Sequence, residues 1–292
     1  MASDPPPGQP PGQPLGQPLG PLEAAARLAG LRGRVLLHSA RDDDGLGRAS
    51  FVAAEPHATL IARGRSLVRL DAQGRPVQRF TGDPLEAAEA FLAEHGCTLE
   101  PRGPGPAEPR VIGYASYDLA RVIEALPGRA ALGNAGPDLW LAAYGAVARW
   151  SHPAAGAGAP AEPAGPETVD PEIIGPETIG PEIIGPEIIG PDPAARARLA
   201  AVLARPARPV LPPSFGALTA DDAAHHTARI ERVRDYLAAG DVYQVSLARR
   251  LVARIAAPGD PLALYRVLAE VAPAPYGALI EADGLTLVSG SP

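Results

Sequence analysis

The sequence predicts an α+β protein: antiparallel sheets with a few packed helices. Three observations carry this. Short apolar or alternating runs cluster without a regular strand–helix–strand rhythm, which disfavours a parallel sheet. The few runs of helical period carry their own start and stop residues. Asp283-Gly284 separates two apolar runs, and Asp-Gly in that setting is a strong hairpin signal.

Taken in order, residues 35–39 and 49–54 form strand-like runs flanking the acidic loop Asp42-Asp-Asp-Gly45, and residues 59–62 and 66–70 extend them into a meander. Asp83-Pro84 offers a capping carboxylate and a proline at the first helical position. Leu85, Ala88, Phe91 and Leu92 then recur at helical spacing until Gly96. Residues 110–117 and 139–150 are β-rich, with a short helix expected between Asp118 and Leu126. Further on, Thr219 with Asp222 fits a capping box for a helix that carries Ile230, Val233 and Leu237 and stops at Gly240. A strand over 242–255, a helix opened by Asp260-Pro261 and carrying Leu264, Tyr265 and Leu268, and the closing hairpin complete the pattern.

Composition sets the organisation. The chain has 292 residues, 46% of them hydrophobic, enough to bury a sizeable core, yet 36 Pro and 32 Gly point to substantial linker or tail. Residues 1–21, with Gly-Gln-Pro at Gly8, Gly12 and Gly16, are read as a disordered tail because they bury too little to offset ordering entropy. Residues 153–213 are read as a Pro-rich linker or insertion. Within them Pro166-Glu-Thr-Val-Asp170 precedes four pentapeptides of Pro-Glu-Ile-Ile-Gly or Pro-Glu-Thr-Ile-Gly type, ending at Gly190. A proline every fifth residue blocks helix and central strand, although the Ile-Ile pairs could pack as an extended ribbon. The foldable regions are then 22–152 and 214–292.

Several functions are excluded or disfavoured. All 26 basic residues are arginine, so no lysine-dependent chemistry is available: no Walker A loop, Schiff base or lysine nucleophile. A net charge of −7 gives no field for nucleic-acid backbones. No run reaches the length that would span a membrane and residues 1–21 lack the features of a signal peptide, so a cytoplasmic location is expected. The single cysteine, Cys97, is read as structural. Asp42, Asp43 and Asp44 are read as a solvated loop, lacking the spacing of a calcium site. His225 and His226 point about 100° apart on a helix, a poor metal pair. His38 and Ser39 lack the acidic orienter and nucleophile-elbow context of a triad. The residues by themselves offer no self-sufficient catalytic constellation.

One long segment does more. Ala239-Gly-Asp-Val-Tyr-Gln-Val-Ser-Leu-Ala-Arg-Arg250 resembles a signature block of the chorismate-utilising enzymes, component I of aminodeoxychorismate synthase and of anthranilate synthase. Three further blocks follow the family's order: Leu36-Leu37-His38-Ser39 with Gly47-Arg48-Ala49-Ser50-Phe51, Gly113-Tyr114 with Tyr117-Asp118-Leu119, and Pro273-Ala274-Pro275-Tyr276 ahead of Ser289-Gly-Ser-Pro292. Ser246 stands where the family usually has Asn, Ala49 where it often has an aromatic, and the pentapeptides have no counterpart.

The resemblance implies amination of chorismate, with ammonia from a glutamine amidotransferase subunit and with Mg2+ on the substrate carboxylate. It places the family's magnesium ligands and catalytic groups beyond Pro292. The chain is therefore expected to be a fragment cut in mid-sheet, with no catalytic or metal-binding residue of its own and no activity in isolation. The Leu-Leu-His-Ser block and the lack of an acidic residue at His38 favour the aminodeoxychorismate branch, toward folate; anthranilate synthase, toward tryptophan, is the alternative. A non-catalytic homologue that binds an aromatic amino acid or a partner is a third reading. The resemblance also implies a tryptophan or effector site at His38, Ser39, Pro275 and Tyr276, where Ser39 can hydrogen-bond an amino acid and Tyr276 can offer a ring face. The plainer alternative makes Pro275 and Tyr276 a strand-entry turn and Ser39 an edge cap. Gln244, Arg249 and Arg250 are read as fold-maintaining.

Overall fold

The computed structural model describes residues 19–41, 46–97, 108–125, 136–152, 186–220 and 223–291. Helix α1 (Pro21–Arg27) leads into strands β1 (Val35–His38), β2 (Ala49–Ala53), β3 (Ala58–Arg63), β4 (Ser66–Leu70) and β5 (Pro76–Thr81). Helix α2 (Pro84–Glu94), β6 (Val111–Ala115), a 3-10 turn (Tyr117–Val122), β7 (Leu139–Ala143), β8 (Val147–Ser151), β9 (Glu187–Ile189) and α3 (Pro193–Leu203) follow. Then come β10 (Ser214–Phe215), β11 (Thr219–Ala220), α4 (Ala223–Ala239), β12 (Leu251–Val252), β13 (Ile255–Ala257), α5 (Leu262–Val271), β14 (Tyr276–Ala282) and β15 (Leu285–Ser291).

The described chain divides into two compact units, residues 210–264 and the remainder. The larger holds a six-stranded sheet in the order β15-β14-β1-β2-β8-β9 and a five-stranded sheet in the order β5-β4-β3-β7-β6. Every strand pairing is antiparallel, as the sequence predicts. Strand alternation explains how the sheets stack. Val35, Ala53 and Ile280 face Trp140, Ala142 and Ile112 of the second sheet in one buried cluster. The intervening Leu36, Val52 and Leu279, all fully buried, point to the opposite face, where α1 buries Ala24, Ala25 and Ala26. On the far side of the five-stranded sheet, Phe91 of α2 and Leu119 of the 3-10 turn close a second cluster with Leu60 and Leu139.

Local chemistry starts and stops these elements. Asp83 accepts from the Leu85 N–H at 2.9 Å to cap α2, and Asp192 caps α3 through Ala194 at 2.8 Å. Gly284, at φ +87°, makes the tight turn between β14 and β15.

The structure also corrects the sequence reading. Pro21, counted with the tail, opens α1; residues 1–18 lie outside the described residues, as do 153–185, most of the pentapeptide block. The last pentapeptide forms β9, pairing with β8, and α3 follows it, so the stretch to residue 213 is more than linker. The predicted strand over 242–255 is absent: residues 242–250 are irregular, and only β12 and β13 form, pairing with β11 and β10. Tyr243 is 97% exposed, and Val245 and Leu247 are exposed too, so alternation there yields no buried face to reward a strand.

Residues 139–150 break at Gly145 into strands of two different sheets, and Gly145 packs so closely there that a Cβ would lie 2.9 Å from the Ala195 side chain. Thr219 lies in β11 and its hydroxyl donates to the Val252 carbonyl at 3.0 Å, so it does not cap α4, while Asp222 is outside the described residues. Finally, β14 and β15 leave the 214–292 region to join β1 in the larger unit, with Val35 opposite Ile280 and His38 opposite Gly277.

Candidate functional site

The β1–β14 pairing decides where the chemistry gathers. Beyond the last paired residues the two strands open into loops, stitched by the Ala40 N–H donating to the Ala274 carbonyl at 3.1 Å. Between them lies a cavity of about 500 Å³ lined by His38, Ser39, Pro275 and Tyr276, with Phe51 and Arg48 on its β2 side. Two pairs of residues more than 230 positions apart in sequence, 38–39 and 275–276, thus line one cavity. Gly47 makes the approach possible: its φ is +71°, and a Cβ would meet the Arg41 carbonyl at 2.8 Å and the Pro275 carbonyl at 3.2 Å.

Each side chain is held in a definite state. His38 Nδ1 is hydrogen-bonded to the Tyr265 hydroxyl at 3.1 Å, the rings meeting edge-on. Burial, reinforced by the neighbouring His152, lowers the His38 pKa to about 4, so the imidazole is neutral at pH 7. Burial likewise pushes the Tyr265 phenol up to about 12. The Ser39 hydroxyl donates to the Ala49 carbonyl at 2.9 Å, which leaves its lone pairs to accept from a ligand. The Ser39 N–H donates to Ser50 Oγ at 3.1 Å, and Ser50 Oγ in turn lies 2.8 Å from His152 Nε2. Pro275 is buried, whereas Tyr276, also in the cavity lining, is 53% exposed.

Among the described residues, no Asp or Glu lines this cavity. Its walls can hold an apolar ring and accept a hydrogen bond at Ser39. Sequence reading did not bring Tyr265 or Gly277 to the site. Tyr265 reads there as one more apolar position of a helix, and only the packing of α5 on β14 brings its hydroxyl to His38. A Cβ at Gly277 would sit 2.1 Å from that hydroxyl. The acidic loop Asp42–Asp44 lies outside the described residues; His225 and His226 lie on α4, and Gln244, Arg249 and Arg250 in the irregular segment before β12. No group of three or more His, Cys, Asp or Glu able to hold a metal ion occurs among the described residues, and no helix there is long and apolar enough to cross a membrane.

Comparison with known proteins gives this geometry its context. Residues 35–292 match the family described as chorismate binding enzyme. Aminodeoxychorismate synthase component 1 of Bacillus subtilis is 27% identical over 265 residues, covering 88% of this chain and 50% of that protein. Anthranilate synthase component 1 of Mycobacterium tuberculosis is 27% identical over 290 residues, covering 93% and 52%. In fold, the chain is similar to anthranilate synthase component I from Streptococcus pneumoniae, with a TM-score of 0.50 and 20% identity over 80% of this chain and 50% of that one. The chain spans about half the length of the curated relatives it matches.

Proposed function

Because this chain belongs to the chorismate binding enzyme family, we propose that it serves as the amino-terminal portion of an aminodeoxychorismate synthase component I, acting in the amination of chorismate to 4-amino-4-deoxychorismate. A glutamine amidotransferase partner supplies the ammonia in this reading, and the reaction takes place in the cytoplasm on the way to 4-aminobenzoate and folate. The observation that carries the choice of branch is His38. A neutral imidazole engaged with Tyr265 occupies the position where the resemblance places an acidic side chain, which weakens the contact to an amino-acid ammonium without removing the Ser39 acceptor.

The cavity is an effector site in this reading. Ser39 accepts from the ammonium of tryptophan, Tyr276 covers the indole face, and Pro275 forms the apolar floor. Magnesium belongs to the proposal as the ion that neutralises the substrate carboxylate. The described residues supply no ligand cluster for it, so no step of the reaction is drawn through this part of the chain. Chemistry at chorismate is assigned to the family's other residues, and this chain by itself is expected to be inactive.

The names of the relatives keep anthranilate synthase as the second reading. Disruption of the encoding gene separates the two. A growth requirement met by 4-aminobenzoate alone is the expected result; a requirement met only by anthranilate or tryptophan overturns the aminodeoxychorismate assignment.

A further inference from the structure

Two histidines that the proposed function does not use meet at the end of α2. His57, just before β3, and His95, just after α2, bring Nε2 and Nδ1 to 3.4 Å, with ring centroids 5.0 Å apart and planes at 74°. A separation of 3.4 Å is long for a hydrogen bond between nitrogens. It suits two imidazoles sharing a tetrahedral cation: nitrogens each about 2.05 Å from such an ion lie about 3.3 Å apart.

The surroundings favour that use. Both backbones are fixed, His57 through its N–H to the Ala143 carbonyl at 2.9 Å and His95 through its N–H to the Leu92 carbonyl at 3.1 Å. The His95 ring is braced edge-on against Phe91 at 4.5 Å, and its Nε2 is buried without a partner among the described residues, so Nδ1 is the nitrogen turned toward His57. The two rings open onto a cavity of about 370 Å³ also lined by Glu94 and Arg110. Glu94 and Asp192 both act on His57 in the sense that favours positive charge. Against them stand Arg110 in the wall and Arg69, which is ion-paired with Glu94. Partial burial lowers the pKa of both imidazoles, the direction that favours the neutral, ligating form.

We propose that His57 and His95 form a two-imidazole site for a borderline transition-metal dication such as Zn2+, with water completing the coordination. Imidazole suits zinc, nickel and copper and does not suit magnesium, so this site is distinct in chemistry from the magnesium of the family's reaction. It is also independent of which branch the protein serves.

Titration of the purified chain with Zn2+ by calorimetry, and with Co2+ followed by visible absorption, tests this. The expected result is one equivalent bound, weakened at least about tenfold by His57→Ala and by His95→Ala, and unchanged by the double variant His225→Ala/His226→Ala. His57 is exposed, so its variant keeps the test readable if His95→Ala fails to fold. Affinity unaffected by His57→Ala, or lost with His225→Ala/His226→Ala, overturns the proposal.

Discussion

Arg32 holds Asp283 through two parallel hydrogen bonds, Nε to Oδ1 at 3.1 Å and Nη2 to Oδ2 at 3.2 Å. The same Oδ2 accepts from the Trp140 indole N–H at 3.1 Å, and Trp140 is fully buried between the sheets. The aspartate that turns the β14–β15 hairpin is therefore also the clasp between the six-stranded sheet and β7 of the other. Asp283→Ala leaves an indole N–H buried and a guanidinium without its counter-ion, a loss of about 2–3 kcal/mol. Asp283→Asn keeps an acceptor for Trp140 and loses less. Urea unfolding of the two variants gives the order.

A second clasp joins β14 to the start of β1. Arg34, 1% exposed, donates to Glu281 Oε2 at 2.6 Å and to the Ala25 carbonyl at 3.1 Å. Glu281→Ala takes this carboxylate from a buried guanidinium and is expected to cost about 3 kcal/mol. The double variant Glu281→Ala/Arg34→Met removes the buried charge as well and is expected to be more stable than Glu281→Ala alone. Denaturant midpoints of the two variants measure the difference.

The His38 pKa is lowered from 6.5 to about 4 in the folded protein. Between those values the unfolded chain binds a proton that the native chain does not, so stability falls as the pH drops from about 6.5 toward 4. His38→Gln removes this contribution to the slope, worth at most about 3 kcal/mol across the window. Thermal unfolding followed at pH 7 and pH 4.5 reads the difference between the slopes.

At the cavity mouth, Tyr276→Ala removes the ring face while the β1–β14 backbone pairing remains. Tryptophan binding by calorimetry is expected to weaken about fivefold. At the next residue of β14, Gly277→Ala drives a methyl group into the Tyr265 hydroxyl and is expected to cost about 2 kcal/mol while displacing His38.

Much of the fold was legible in the sequence because its signals are local. Asp83-Pro84 fixed the start of α2, and Asp283-Gly284 fixed the last hairpin, since a cap or a tight turn needs only the residues that make it. The edge strand β5 was missed: it opens with Pro76 and is almost wholly exposed, so it carries little hydrophobic pattern. The 242–250 stretch was read as strand from an alternation that no partner surface in its own unit covers.

The sequence alone determined the family, through ordered motifs, and the antiparallel α+β class, through periodicity and turn residues. It also excluded lysine chemistry from these 292 residues, because no Lys occurs among them. Only the tertiary structure decided that β14 returns across more than 200 residues to pair with β1, that Tyr265 reaches His38, and that His57 meets His95. Those relationships depend on long-range strand register and helix packing, which are set by burial of a shared core and leave no mark on neighbouring residues.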